Sequence, residues 1–240
     1  MCGRYVRRGD KQKIAEYFHA TPRPAELPMP EADFNVAPTT YQPIIRQSRE
    51  TGEREMVLAR WGLVPFFTRD LKDVKGLSTI NARAESIMKA PTWREPFKKR
   101  RCLVPASAFY EWPKEDRPPK QPYAFELVNG QLLAFAGLWD AWRDKDGQWL
   151  QSFAIVTTEA NELMHRIHPR MPVILNPRDY DRWLDREATS EQLPIDLLRP
   201  YESEEMEMYE ANPSVGNVRN NGPEMMKAVA AATQDGKLPL

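Results

Sequence analysis

The segment QLLAFAGLWDAW (residues 131–142), followed after Asp146-Gly147 by WLQSFAIVTT (residues 149–158), decides the fold of this chain. Apolar and aromatic residues dominate both runs, and an Asp-Gly pair between such runs is typical of the tight turn of a β-hairpin. The pattern therefore predicts two long antiparallel strands at the centre of the protein.

Further strand and helix signals surround this hairpin. Strands are predicted at residues 42–47, 55–61, 102–105, 108–112, 122–127, 173–175 and 206–211, with Asn129-Gly130 as a second hairpin turn. Short helices are predicted at residues 10–19, 82–89, 159–166, 177–185 and 190–198. We therefore predict an α+β fold in which a curved, mainly antiparallel, barrel-like β-core is flanked by short helices. One domain is expected over residues 1–232, with a disordered C-terminal tail at residues 233–240.

Composition restricts the class of function. The chain of 240 residues carries 34 Lys and Arg against 34 Asp and Glu, so no global field draws it to nucleic acid or membrane, and any site for a polyanion must be local. Its two cysteines are Cys2 and Cys102, and Cys102 lies in an apolar run, so no disulfide is expected. Because no secretory h-region or apolar run of eighteen residues is found, we expect a cytoplasmic protein without a membrane anchor.

Cys2 is a candidate nucleophile because of its position. If Met1 is removed, Cys2 carries a free α-amine beside its thiol, and such a pair can condense with an aldehyde to form a thiazolidine ring. Ordinary pKa values of about 8 for the amine and about 8.5 for the thiol suit this chemistry near neutral pH. The alternative from the residues alone is that Cys2 is a chance residue at a frayed terminus.

Three polar residues elsewhere are also candidates. Glu111 lies between aromatic residues, where burial would raise its pKa toward that of a general acid or base, although a strand end would leave it solvated. His168 lies on a stiff loop before Pro169 and is the best catalytic candidate of three histidines. Asn81 is predicted as the N-cap of the helix at residues 82–89, or alternatively as an amide that orients a substrate.

Two stretches and one arginine are candidates for contact with nucleic acid, although each stretch also has a structural explanation. Residues 61–67 (WGLVPFF) are either core packing under a loop or a stacking platform for an unpaired base. Residues 98–101 (KKRR) form the densest positive cluster, a pattern that usually marks a solvated face. Arg83 lies near the positive end of the helix predicted at residues 82–89, where a phosphate would be stabilised.

Several of these stretches together resemble the SRAP family (SOS response-associated peptidase) of abasic-site processing proteins, over roughly residues 1–225. The matching motifs are Met1-Cys2-Gly3-Arg4, Asn35-Val36-Ala37-Pro38, Trp61-Gly62-Leu63-Val64-Pro65, Ile80-Asn81-Ala82-Arg83-Ala84-Glu85, Phe109-Tyr110-Glu111-Trp112, Ile167-His168-Pro169-Arg170-Met171-Pro172 and Val215-Gly216-Asn217-Val218. The resemblance implies a protein that binds single-stranded DNA and crosslinks itself to an abasic site through a thiazolidine.

The resemblance also implies catalytic roles. Cys2 would be the nucleophile, Glu111 would shuttle the proton that opens the sugar ring, and Asn81 would position the amine or the sugar. His168 would act as acid or base in forming the imine and in resolving the link. Neither a metal nor a cofactor is implied. An abasic-site lyase activity and an autoproteolytic removal of the leading residue would accompany the crosslinking.

The DNA-binding residues implied by the resemblance are Arg4, Arg83 and Arg170 for flanking phosphates, with Pro38 and Phe67 packed on neighbouring bases. The chain departs from the family at Phe66-Phe67, where tryptophan is frequent. The implied partner is a single strand with an abasic site, bound by a monomer in the cytoplasm that associates with the nucleoid.

Two other functions fit the same residues. The first is a thiol hydrolase in which Cys2, His168 and Glu111 act as nucleophile, base and orienter. The second is a non-enzymatic module that binds single-stranded nucleic acid through aromatic residues and arginines.

Overall fold

A computed structural model describes residues 2–29, 32–74, 79–113 and 121–228. Within these ranges the strands are β1 (Tyr5–Arg7), β2 (Thr21–Pro22), β3 (Asp33–Val36), β4 (Tyr41–Gln47), β5 (Arg54–Trp61), β6 (Asn81–Arg83), β7 (Arg101–Ala106), β8 (Ala108–Glu111), β9 (Tyr123–Leu127), β10 (Leu133–Arg143), β11 (Trp149–Glu159), β12 (Arg170–Pro172) and β13 (Met206–Glu210). The α-helices of these ranges are α1 (Lys11–Tyr17), α2 (Pro91–Lys99), α3 (Glu162–His165) and α4 (Tyr180–Leu184).

The predicted hairpin at the centre of the chain is confirmed and forms part of a closed barrel. Strands β10 and β11 pair antiparallel from Gly137↔Ile155 to Arg143↔Trp149, and Gly147 takes the positive φ of 84° that the turn requires. The order continues through β7, β4 and β5, and a short parallel pairing of β5 with β11 at Phe153↔Trp61 closes the ring. The barrel-like α+β fold predicted from the sequence is therefore correct.

The two faces of the barrel strands bury separate apolar clusters. The interior cluster contains Trp61 and its stacking partner Phe153, with Phe135 and Val104 nearby. Side chains of the opposite face pack beneath the helices, as shown by a second cluster that contains Ile45, Leu103, Ala136 and Ala154 together with Ile14 of α1, Phe97 of α2 and Trp183 of α4. Burial on both faces explains why these strands read as nearly continuous apolar runs.

A second sheet carries the N-terminal strand across one end of the barrel. Its order is β13-β9-β8-β1-β3, so β1 lies between two partners. Tyr5 pairs with Phe109 of β8, and its ring packs edge-on against Trp61 at 5.2 Å and Phe135 at 5.9 Å in the barrel interior. This arrangement holds the first residues of the described chain against the core and not in solvent.

Some predicted elements are confirmed and others are wrong in type. The helix capped by Asp10 is present, since the carboxylate accepts a hydrogen bond of 2.8 Å from the Lys13 N–H. The helix predicted at residues 82–89 is absent: β6 pairs parallel with β11, and only a 3₁₀ turn, Ala84–Ser86, follows it. Pairing with the barrel outweighs the helix propensity of this segment, so Asn81 is a strand residue and not a helix N-cap.

Three further predictions need correction. Asn129-Gly130 does form a tight turn, with the Gly130 N–H bonded to Leu127, but it is not a hairpin, because β9 and β10 belong to different sheets. A strand was expected at residues 173–175, but the strand that pairs with β11 is β12, which ends at Pro172. Beyond it, Ile174 forms only an isolated bridge with Phe135 of β10. The helix expected at residues 190–198 is reduced to the 3₁₀ turn Ile195–Leu197, which follows a proline.

No helix of the described ranges combines the length and the apolar character needed to cross a bilayer. The predicted tail at residues 233–240 lies outside the described residues.

Candidate functional site

Cys2 is buried where β1 meets the end of β8. Its side chain has no solvent exposure, and its carbonyl oxygen accepts a hydrogen bond of 2.9 Å from the Asn81 side-chain amide. Burial raises the pKa of the Cys2 thiol well above its usual range, and the negative charge of Glu111 raises it further. The structure therefore brings Cys2, Asn81 and Glu111 together, although 79 residues separate Cys2 from Asn81 in the sequence.

Asn81 has a second polar atom at this place. Its Oδ1 is buried and has no hydrogen-bond partner within the described ranges. A buried amide oxygen without a partner carries a free-energy cost, so such an atom is often aimed at a ligand or water. Asn81 is held there because β6 pairs with Ile155 in the middle of β11.

Glu111 is the last residue of β8 and is only 4% exposed. Of the two alternatives that the sequence left open, a solvated strand end is excluded. Burial raises the pKa of the Glu111 carboxyl above its ordinary value. The group therefore holds a proton at a higher pH than a carboxyl in water, as a general acid requires.

His168 lies in the turn before β12 and is half-buried. Its Nδ1 lies 3.1 Å from the backbone nitrogen and 3.2 Å from the carbonyl oxygen of Arg170, so the Arg170 backbone holds the ring in position. The ring lines an open cleft of about 760 Å³ together with Arg83, Pro169 and Arg170. The walls of this cleft do not include Cys2, Asn81 or Glu111.

The three predicted phosphate ligands differ in how they are held. Arg83 is exposed on the wall of the cleft of His168. Arg170 forms an ion pair with Glu85 and donates a hydrogen bond of 2.7 Å to the Thr157 carbonyl. The bonds from Arg170 lower the pKa of the Glu85 carboxyl.

Arg4 is held by the protein in a similar way. It donates to Asn35 Oδ1 at 2.7 Å and to the Val215 carbonyl at 2.6 Å, and its guanidinium lies 5.9 Å from the Trp112 ring. Asn35 belongs to one of the family motifs, but nothing in the sequence indicated its role. Its amide also donates to the carbonyls of Asn217 at 3.0 Å and Asn220 at 2.6 Å, so it joins β3 to the segment that Arg4 contacts.

The predicted stacking residues lie at different places. Pro38 is half-buried in the turn after β3. Phe66 and Phe67 are 57% and 51% exposed and contact each other edge-to-face at 5.4 Å, whereas Trp61 is fully buried and its indole N–H bonds the Ile80 carbonyl. Core packing is therefore correct for Trp61, whereas Phe66 and Phe67 form an exposed aromatic surface whose stacking on a base stays a prediction.

The loop that carries Phe66-Phe67 is fixed to the β10–β11 hairpin. The Val64 N–H donates to Ser152 Oγ at 2.8 Å, the Phe66 N–H donates to Asp140 Oδ2 at 3.1 Å, and the Trp142 indole N–H donates to the Thr68 carbonyl at 2.7 Å. Asp140 was not predicted, since a lone aspartate in an aromatic strand gave no signal of its partner. These bonds hold two exposed apolar rings in a defined position.

Comparisons with known proteins identify the family of this chain. The family described as SOS response associated peptidase (SRAP) matches residues 1–218. The chain is 36% identical over 232 residues to "Abasic site processing protein YoqW" of Bacillus subtilis, covering 95% of this chain and 100% of that protein. It is 29% identical to "Abasic site processing protein HMCES" of Xenopus tropicalis, covering 86% of this chain and 69% of that protein.

Solved structures show the same fold. A protein from Bacteroides thetaiotaomicron superimposes with a TM-score of 0.82 at 27% identity, over 95% of this chain and 100% of that one. A protein from Bordetella bronchiseptica gives a TM-score of 0.75 at 30% identity, over 88% of this chain and 100% of that one. With the family match spanning nearly the whole described chain, this protein belongs to the SOS response associated peptidase (SRAP) family.

Proposed function

We propose that this protein processes abasic sites in DNA by forming a covalent link between Cys2 and the sugar aldehyde, which shields the lesion during replication and the response to DNA damage. Relatives in the family are named abasic site processing proteins, which supports the target. The observation that carries the chemistry is the buried grouping of Cys2, the Asn81 amide and the Glu111 carboxyl.

The proposed reaction uses both groups of an N-terminal cysteine. After Met1 is removed, the Cys2 amine attacks the aldehyde carbon of the ring-opened deoxyribose and gives a carbinolamine. The carbinolamine loses its hydroxyl as water with a proton supplied by Glu111, and the resulting iminium returns its N–H proton to the Glu111 carboxylate to give an imine. The thiol sulfur then adds to the imine carbon and its proton passes to the nitrogen, which closes the thiazolidine. The sum is aldehyde plus aminothiol giving thiazolidine plus one water.

The raised pKa values fit this order of steps. A buried thiol with a raised pKa stays protonated near neutral pH, so sulfur is a poor first nucleophile and acts after the imine has formed. The same burial disfavours the rival thiol hydrolase, because that mechanism needs a thiolate. Asn81 Oδ1 is proposed to accept a hydrogen bond from the Cys2 amine or a sugar hydroxyl.

His168 is proposed to act at the neighbouring cleft. Its oriented imidazole would exchange protons with the sugar as the link forms or is resolved, which would also permit a lyase reaction. The cleft is open, and its wall carries Arg83, Arg170 and Lys89, so it suits a single strand whose phosphates flank the lesion. The active species is proposed to be a monomer in the cytoplasm, on the nucleoid when bound to DNA.

The test of this function is direct. Incubation with a single-stranded oligonucleotide that contains one abasic site is expected to give a product that survives a denaturing gel. Its N-terminal peptide should start at Cys2 and carry the sugar with the loss of one water, as measured by mass spectrometry. If the intact protein retains Met1 and still forms the adduct, the aminothiol mechanism is wrong.

Phosphate binding by Arg83 gives a separate prediction. Because Arg4 and Arg170 already bond protein acceptors, we expect exposed Arg83 to carry the larger share of the phosphate contact. Arg83→Ala should weaken binding to intact and abasic strands alike and reduce the slope of log affinity against log salt by about 0.7. Fluorescence anisotropy at several salt concentrations measures this, with the exposed Arg178→Ala as a control of equal charge. An unchanged slope would remove Arg83 from the interface.

A further inference from the structure

The basic run at residues 98–101 is divided between the core and the surface. Arg101 is only 3% exposed and donates to the backbone carbonyls of Trp183 and Lys98, so it ties β7 to α4 and the end of α2. Lys99 is exposed and Arg100 is half-buried, and both face a cleft on the outside of the protein. The solvated face predicted from this run is therefore wrong for Arg101.

This cleft, here called the Trp139 cleft, has a volume of about 390 Å³ and is lined by Trp139, Arg49, Lys99, Arg100, Arg186 and Glu187. Four cationic side chains thus face a single carboxylate. A second recess of about 300 Å³ shares Arg49 and Trp139 and is also lined by Arg23, Arg46, Glu50 and Glu55, so its charges nearly balance. The protein has no net charge, so the concentration of positive charge in the Trp139 cleft is local.

Part of the wall of the Trp139 cleft is held in place by ion pairs. Arg46 lies 4.1 Å above the Trp139 ring and is paired with Glu55 at 2.7 Å. Arg186 pairs with Glu187 at 3.4 Å. These pairs fix the indole and its neighbours while neutralising part of the positive charge.

Two cations of the cleft are not neutralised in this way. Arg49 and Lys99 form no ion pair with any residue of the described ranges, and both are exposed. The Lys99 ammonium donates a hydrogen bond of 3.0 Å to the Arg186 carbonyl, which directs it along the cleft without cancelling its charge. Both charges are therefore available to an anion.

Arg100 links the cleft to the exposed aromatic pair. The Arg100 guanidinium lies 5.9 Å from the Phe66 ring, and it pairs at 3.2 Å with Asp140, which also accepts the Phe66 N–H. The backbone N–H of Trp139 donates to the Arg100 carbonyl at 2.9 Å. Arg100 therefore shares the cleft with Arg49 and Lys99 and also lies next to the aromatic pair.

We propose that the Trp139 cleft binds the phosphate backbone of DNA that continues beyond Phe66-Phe67, away from the abasic site. The proposal rests on the proposed function and extends the DNA path across a second surface. Charge complementarity carries it: two cations without an ion-pair partner in the described ranges stand beside arginines fixed around an indole, next to rings suited to a terminal base. Contacts of this type position a strand without reading its sequence.

The test uses strands with a tetrahydrofuran in place of the abasic sugar, which lacks the aldehyde and cannot crosslink. Binding is measured by anisotropy for a short strand and for strands lengthened on the 5′ or the 3′ side. For wild type we expect one of the two extensions to increase affinity. Arg49→Ala/Lys99→Ala should lose that gain and reduce the salt slope on the long strand by about 1.4, at about 0.7 for each phosphate contact.

Binding of the short strand should stay unchanged in the double variant, and so should crosslinking to a short strand with a true abasic site. Lys13→Ala/Arg178→Ala, which removes the same charge from exposed positions elsewhere, is the matched control. A double variant that keeps the gain from the longer strand overturns the proposal, and so does equal weakening on short and long strands. If the wild-type protein forms no crosslink with a true abasic site, the covalent mechanism is refuted, whereas the binding result for the Trp139 cleft is unaffected.

Discussion

Cys2→Ala is expected to reduce the heat-stable adduct with abasic DNA to background, because the variant retains an amine but has no sulfur to close the ring. The α-amine of this variant can still form an imine, which hydrolyses when the gel is run. Adding borohydride during the reaction should therefore restore a covalent product by reducing that imine. The readout is a denaturing gel with and without reductant.

Cys102→Ala is the matched control, since the second cysteine is equally buried but lies in the barrel wall. This variant should form the adduct without reductant, with a loss of stability from the cavity. A stable adduct of Cys2→Ala without reductant would show that sulfur is not needed. No adduct even with reductant would show that the amine is not the first nucleophile.

Glu111→Gln is expected to have opposite effects on rate and stability. The amide cannot donate or accept the proton of the proposed steps, so adduct formation should slow by about 10²–10⁴-fold. At neutral pH the free energy of unfolding should rise, because the substitution removes the cost of burying a charge. Single-turnover rates and urea unfolding measure the two quantities.

The pH dependence of this stability difference follows from the raised pKa of Glu111. A carboxyl whose folded-state pKa lies above its unfolded value binds its proton more tightly when folded. Its contribution is fully present below the unfolded pKa and is lost as pH rises through the folded pKa. Wild type and Glu111→Gln should therefore be most alike in acid and diverge toward neutral pH. A variant that is less stable than wild type at neutral pH would contradict this explanation.

Local patterns in the sequence were sufficient for the long strands of the barrel but not for the short strands β3, β6 and β12 or for the strand partners. The β10–β11 hairpin was predicted because the apolar runs and the Asp-Gly turn are adjacent in the chain. Asn129-Gly130 gave the same signal, yet its flanking strands enter different sheets. The parallel contact of β5 with β11 that closes the barrel joins residues far apart in the chain, Trp61 and Phe153, and leaves no local mark.

Prediction of the candidate site from the sequence has the same limit. Cys2, Glu111 and Asn81 could be named as candidates from their types and neighbours, and the family resemblance gave each of them a role. Helix propensity gave Asn81 the wrong element, because pairing with Ile155 decides its conformation. Asp140 and Asn35 act through bonds to distant backbone groups, so no spacing in the sequence indicated their partners.

Strand β11 contacts the strand of Asn81, the strand of Arg170 and the loop of Phe66. Ile155 pairs with Asn81 and Thr157 pairs with Arg83. The Thr157 carbonyl also accepts a hydrogen bond from Arg170. Ser152 accepts the Val64 N–H and so holds the loop of Phe66. A backbone shift in this one strand would displace Asn81, the wall of the His168 cleft and the loop of Phe66 together, so its core positions should tolerate little change in a mutational library.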